Sequence, residues 1–366
     1  MKLLNISSIQ IFPPNDGGAR LIFTFLKYLS YNHSISLVTV KTDEINKENI
    51  ENIMVYDVLD NNSIKKFLSL KTVFDLIRIV KKEKPELIII DFPWFGVYGF
   101  ILQKIFGVNF FIHEHNIEYV RFKREGKWWW KLLFWYEKFV YKKAKKILCI
   151  SPVDERLLIE NLKVPKSKII DCPYGIDSEV FYPNKKVRKK VREKIGLRDD
   201  EGFILFFGKL DYLPNIKALK IINEEIVGRL EKKNNNFKII VCGKNPPALF
   251  SNNKIIFTGY VKKIEDYINA SDLIIVPLTS GGGMRTKIIE SIACGKRVIS
   301  TKIGAEGIDE SLCSELLQIV ENNDWDTFTK KIEESINNKK LFYKVPKKFR
   351  EKYLWQNIIS GINFSD

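Results

Sequence analysis

Short apolar, β-branched runs alternate along the chain with longer stretches whose apolar positions recur every three to four residues. In the first half, 3–8, 35–40, 87–91, 109–113 and 146–151 predict strands, and 19–30, 62–83 and 127–143 predict helices. In the second half, strands are predicted at 203–207, 237–241, 255–258, 273–276, 298–300 and 316–319, with helices at 215–232, 264–270, 284–294 and 324–337. Strands alternating with helices in this way form parallel sheets joined by crossover helices. A charged, proline-containing stretch at 182–202 separates the two blocks, and its basic run at 185–194 predicts a short exposed helix. The pattern is α/β: two Rossmann-like domains facing each other across a cleft, with a hinge near 178–202 and domains at 1–180 and 181–348. A last amphipathic segment, 349–364, follows through Tyr353, Leu354, Ile358 and Ile362.

The most hydrophobic stretch, 87–102, is broken by Asp91, Pro93, Gly96 and Gly99. It is short for a membrane span and reads as a buried strand, turn and helix. Residues 1–7 read as a first strand, with no secretory signal visible.

The most informative chemistry lies at 277–290, where an apolar strand runs into Gly281, Gly282 and Gly283 and a helix starts near Met284. Glycines let backbone approach a ligand, and the free N–H groups of a helix start face an anion. Arg285 and Lys287 place two cations in the first turn, where the helix dipole disfavours them; a bound anion would account for both. Glu290, further along the helix, is placed to accept hydrogen bonds from hydroxyls of the same ligand. Phosphate beside polyol suggests a nucleotide or nucleotide sugar.

The chain has 366 residues, 45% of them hydrophobic, enough for two cores, and a formal net charge of +16. Such a field favours anionic partners. No helix-turn-helix, zinc-finger or RNA-recognition signature accompanies it, so nucleic acid is not the expected partner. The five cysteines are scattered, with no CxxC pair, which fits a reducing cytoplasm. With three histidines and no His/Cys cluster at metal spacing, no metal site is expected.

Several motifs in order resemble glycosyltransferase family 4, retaining enzymes of the GT-B fold. They are PPNDGG at 13–18, HEHN at 113–116, YGID at 174–177, FFGKLD at 206–211, the 281–290 loop and helix, and IGAEG at 303–307. The resemblance implies transfer of a hexose from a nucleoside-diphosphate sugar to a hydroxyl of a glycan or glycolipid; with cations and helix N–H groups to meet the phosphates, no metal cofactor is expected. Glu290 matches the second glutamate of the family's paired motif, which binds donor ribose hydroxyls. His115 matches the active-site histidine near the transferred sugar, and Lys209 stands where the family usually has arginine. Gly17 and Gly18 would approach the phosphates from the first domain; Gly282, Gly283 and Met284 would supply the helix-start backbone. The last helix, within 349–366, would return to the first domain.

Two departures stand out. Gly282 occupies the place of the family's first glutamate, and Asn215 stands near where a lysine is usual. Arg285 and Lys287 are expected to compensate, holding the diphosphate and stabilising the charge that grows on it as the glycosidic bond breaks. His113 is expected to face away from His115, toward the sheet. The lost glutamate leaves open a non-catalytic nucleotide-sugar binding subunit, and the nucleotide loop alone leaves open a sugar-nucleotide epimerase.

Segment 121–146 mixes cations with Trp128, Trp129, Trp130 and Trp135, which cannot all face one core. Two readings fit this segment: a peripheral contact with anionic membrane, on the inner face of the cell membrane, or one face packed on the sheet with the rest solvated or lining an acceptor groove.

Overall fold

The computed structural model describes residues 1–12, 14, 17–41, 52–60, 69–233, 236–246, 252–338 and 340–364. The chain divides into two compact units, Met1–Gly175 with Trp355–Asp366, and Ile176–Leu354. The first crossing therefore falls ahead of the expected boundary at 180 and of the expected hinge, and the return falls beyond the expected 348.

The first unit runs β1 (Lys2–Ser7), α1 (Gly17–Leu29), β2 (Ser34–Val40), β3 (Ile53–Leu59), α2 (Leu70–Glu83), β4 (Leu87–Asp91), α3 (Gly96–Phe106), β5 (Asn109–Glu114), α4 (Glu118–Arg124), α5 (Trp130–Lys143), β6 (Lys146–Cys149), α6 (Pro152–Glu160) and β7 (Ile169–Asp171). Its seven strands are parallel, in the order β3-β2-β1-β4-β5-β6-β7. Both faces are covered, so β4 is a continuous buried run of Leu87, Ile88, Ile89, Ile90 and Asp91. Leu4, Ile6, Ile88, Ile90, Phe110 and Ile112 form one core with Leu76, Leu102, Val140 and Tyr141 from the helices. On the other face, Phe111 stacks on Phe364 and His113 lies against Phe25 of α1.

The second unit runs α7 (Val187–Lys194), β8 (Gly202–Phe207), α8 (Leu213–Ile221), α9 (Val227–Glu231), β9 (Phe237–Cys242), β10 (Ile255–Gly259), α10 (Ile264–Ala270), β11 (Leu273–Val276), α11 (Thr286–Ala293), β12 (Arg297–Thr301), β13 (Leu317–Val320), α12 (Trp325–Asn337) and α13 (Lys347–Tyr353). A π turn at Ile222–Ile226 joins α8 to α9, where one uninterrupted helix is expected. The six strands are parallel, in the order β10-β9-β8-β11-β12-β13.

The amphipathic tail is two helices. After α13, Leu354 is extended and forms a parallel bridge with Ile176, and α14 (Trp355–Ser360) then joins the first unit. Trp355 is fully buried among Phe25, Tyr28 and Tyr174. All five cysteines are free and buried. Among the described residues no helix is long and apolar enough to cross a membrane.

In each sheet the chain winds one way from a central strand and then reverses. The reversal falls between β1 and β4 in the first unit and between β8 and β11 in the second. Loops diverge at the carboxyl ends of such strand pairs and leave a crevice for ligands.

Candidate active site

In the second unit, adjacency of β8 and β11 brings the loops after Phe207 and Val276 side by side. Lys287, on the first turn of α11, places Nζ 3.3 Å from Oδ1 of Asn215, near the start of α8, and 4.6 Å from the centroid of Phe206. The Asn215 amide also donates to the Lys209 carbonyl at 2.7 Å, tying the loop to the helix. Gly208, with φ 146°, leaves room for this meeting: a Cβ there would lie 3.2 Å from Lys287 Nζ and 3.1 Å from Asn215 Nδ2.

Arg285 precedes α11 and folds back to donate to the Gly282 carbonyl. Gly281, with φ 111°, makes that turn feasible, since a Cβ there would stand 2.8 Å from Arg285 Nη2. Arg285, Met284 and Glu290 are buried, Gly282, Gly283 and Lys287 are half-buried, and Lys209 is exposed. Burial and the neighbouring Arg285 push the Lys287 amine down to about 7, against the pull of Glu290. Two clustered cations at the positive end of a helix repel each other and the dipole. An anionic ligand would relieve that repulsion.

In the first unit, Asp91 ends β4 with one carboxylate oxygen between two histidines. Its Oδ1 lies 3.0 Å from His113 Nδ1 and 3.2 Å from His115 Nε2. All three residues are buried. His113 thus shares a side with His115, their ring centroids 4.3 Å apart, and does not face away from it. The reason is the strand's period of two, which puts residues two apart on one face. Phe92 adopts φ 64° and lies over His115 with ring centroids 4.4 Å apart. Strained backbone of this kind persists where surrounding structure over-determines it.

Burial pushes His115 down to about 4, and the adjacent His113 adds to this, while the hydrogen bond to Asp91 opposes it. At neutral pH the ring is therefore uncharged. The nitrogen and oxygen atoms of Asp91, His113 and His115 lie within 4.8 Å of one another, so this trio is also where an ion would fit. The two hydrogen bonds account for the convergence without one. Glu114 accepts from the Tyr141 hydroxyl and the Asn116 N–H, and burial raises its carboxyl well above the usual range.

Gly17 and Gly18 open α1, where Gly17 is exposed. Pro13, Asn15 and Asp16 of the same motif lie outside the described residues. The structure therefore gathers Arg285, Lys287, Glu290 and the Lys209 loop in one unit, and His115 with Asp91 in the other. Asp91 and Asn215 were not singled out from sequence as site residues. The signal for Asp91 was available: a carboxylate ending a strand of otherwise unbroken apolar residues.

Residues 15–180 match the model of Glycosyltransferase Family 4, and residues 201–338 match that of Glycosyl transferases group 1. An Escherichia coli UDP-Gal:alpha-D-GlcNAc-diphosphoundecaprenol alpha-1,3-galactosyltransferase is 24% identical over 324 residues, 82% of this chain and 80% of that protein. Among solved structures, sucrose-phosphate synthase of Thermosynechococcus elongatus superposes with a TM-score of 0.76 at 17% identity, covering 98% of this chain and 96% of that one. HepE of Anabaena in complex with UDP superposes with a TM-score of 0.75 at 14% identity, covering 98% of each. Two parallel-sheet, Rossmann-like domains that superpose on these structures make up the GT-B fold. The chain belongs to glycosyltransferase family 4.

Proposed function

We propose that the protein is a retaining hexosyltransferase. It moves a hexose from a nucleoside-diphosphate sugar to a hydroxyl of a glycan or glycolipid, in cell-surface polysaccharide or glycoconjugate synthesis. The observation that carries this is the pairing of Arg285 and Lys287 at the start of α11, with Lys287 held by Asn215. The diphosphate would lie on these cations, on Lys209 and on the helix-start N–H groups, with Glu290 on the ribose hydroxyls. Cations placed in this way do the work a divalent ion would otherwise do, so no metal is required. As the bond from C1 to the diphosphate breaks, negative charge grows on the leaving group, and fixed cations stabilise that state more than the ground state. Gly17 and Gly18 would approach the same phosphates, and His115 would orient the transferred sugar.

Support for a nucleotide-sugar donor comes from the E. coli relative, named for UDP-Gal, and from HepE, solved with UDP. The test is incubation with UDP-galactose and UDP-glucose in EDTA, with a GlcNAc-diphospho-lipid acceptor and with glycan acceptors. Transfer with an α-anomeric product supports the reading. Epimerised donor without transfer, or diphosphate binding with no turnover on any acceptor, would point to one of the other two classes.

A further inference from the structure

Helix α5 has two apolar faces. Leu133, Glu137, Val140 and Tyr141 point into the first unit, with Leu133, Val140 and Tyr141 in its core. Trp128, just before the helix, and Leu132, Trp135 and Phe139 on it recur at four-three-four spacing on the opposite side. They are 81%, 67%, 64% and 40% exposed. Trp129 and Trp130, by contrast, are half-buried against the core. Ile105 on α3 is also exposed, and Phe139 meets Phe100 of α3 edge-on with centroids 5.5 Å apart, so the face spans two helices. A surface helix normally has one apolar stripe, and a second uncovered one marks a contact surface.

Cations frame it. Lys138 lies over Trp135 at 5.2 Å, and Lys143 over Phe100 at 5.1 Å and Phe139 at 5.9 Å. Lys104 lies over Phe100 at 5.7 Å, and Lys131 is exposed beside Leu132. Residues 121–146 carry ten cations against two acids, and one of those acids, Glu137, is buried. Indole and phenyl rings flanked by lysines match the headgroup zone of a bilayer, where rings enter the acyl boundary and ammonium groups meet lipid phosphates. A protein partner would have to present both an apolar groove and an acidic rim.

We infer that this face, Trp128, Leu132, Trp135 and Phe139 within its lysine frame, docks on an anionic phospholipid bilayer. Docking does not depend on which sugar is transferred, so it stands or falls apart from the reaction.

The test is sedimentation of the full chain with vesicles of phosphatidylcholine alone or mixed with phosphatidylglycerol, with light scattering of the free protein alongside. The wild type should sediment with the anionic vesicles and release as salt rises from about 0.05 to 0.5 M. Trp128→Ser/Leu132→Ser/Trp135→Ser, all at exposed positions, should keep the thermal midpoint and lose about a hundredfold in partitioning. Lys131→Glu/Lys138→Glu should lose anionic selectivity. Wild type left in the supernatant, or a triple variant that sediments equally well, would overturn the inference. So would a dimer that the triple substitution dissociates, since the face would then join two copies of this chain.

Discussion

Lys287 Nζ on α11 lies 3.3 Å from Asn215 Oδ1 on α8. The family resemblance leads one to look for a lysine near position 215. The chain has asparagine there, and Lys287 from the first turn of α11 hydrogen-bonds to it. The two meet because β8 and β11 are adjacent and the segments that follow them leave the same sheet edge.

Proton uptake should accompany diphosphate binding. The Lys287 amine sits near 7 in the free protein because burial and Arg285 disfavour its charge. A bound diphosphate restores the charged form and raises the value. Titration with UDP at pH 8 in HEPES and in Tris should therefore give apparent enthalpies differing by close to one proton taken up, and no difference at pH 6. Affinity should weaken above pH 7, by up to about tenfold per unit. Equal enthalpies in both buffers at pH 8 would show that this amine does not meet the phosphate.

Asn215→Leu should release Lys287 without emptying a core position. Losing one hydrogen bond to a charged group costs about 1.5 kcal/mol, or roughly tenfold in diphosphate affinity. Binding assays with UDP check this, with the melting temperature as control for the accompanying loss of the bond to the Lys209 carbonyl.

Asp91→Asn tests the histidine pair. Asp91 fixes the ring of His115 from Nε2, so the asparagine variant should lower kcat by about ten- to a hundredfold with donor KM little changed. Steady-state kinetics separate this from a folding defect, which would lower active enzyme without changing the nitrogen-15 shifts that report the histidine tautomers.

Acid stability follows from the same site. A histidine whose pKa falls to about 4 on folding, from 6.5, favours the fold fully above pH 6.5. That contribution is lost as pH drops from about 6.5 to about 4. Denaturant midpoints across this window should fall for the wild type and fall less for His115→Gln.

Trp355→Ala should cost about 3–5 kcal/mol through the cavity left among Phe25, Tyr28 and Tyr174. Because α14 belongs to the first unit, that unit's transition should move while the second unit's holds. Two resolved transitions in calorimetry would show it.

The second unit's strands were legible because each carries a short cluster of β-branched or aromatic residues between polar turns, unbroken in β11 and interrupted by single polar residues such as Lys238 in β9 and Gln318 in β13. In the first unit, β3 escaped notice because Ile53–Leu59 is half exposed and carries Asp57, so it lacks the buried-strand signature. Strand β7 is three residues long, below what periodicity resolves. His115 was legible by position after a strand, but its partner Asp91 lies 24 residues away and meets it only through strand adjacency. The tail read as one amphipathic helix because both halves bury apolar side chains; the break at Leu354 comes from its bridge to Ile176, which no local pattern encodes.

Arg285 and Lys287 are proposed to hold a nucleoside diphosphate. The direct measurement is the thermal shift of wild type, Arg285→Ala, Lys287→Ala and Glu290→Ala with UDP, GDP, ADP and dTDP, each in EDTA. A ligand at about a hundred times its Kd adds roughly 2.7 kcal/mol to the folded state, enough to move the midpoint visibly. A shift with one diphosphate that persists in EDTA and is lost in all three variants is the expected result. No shift with any diphosphate, or one that the Arg285→Ala and Lys287→Ala variants retain in full, would contradict it.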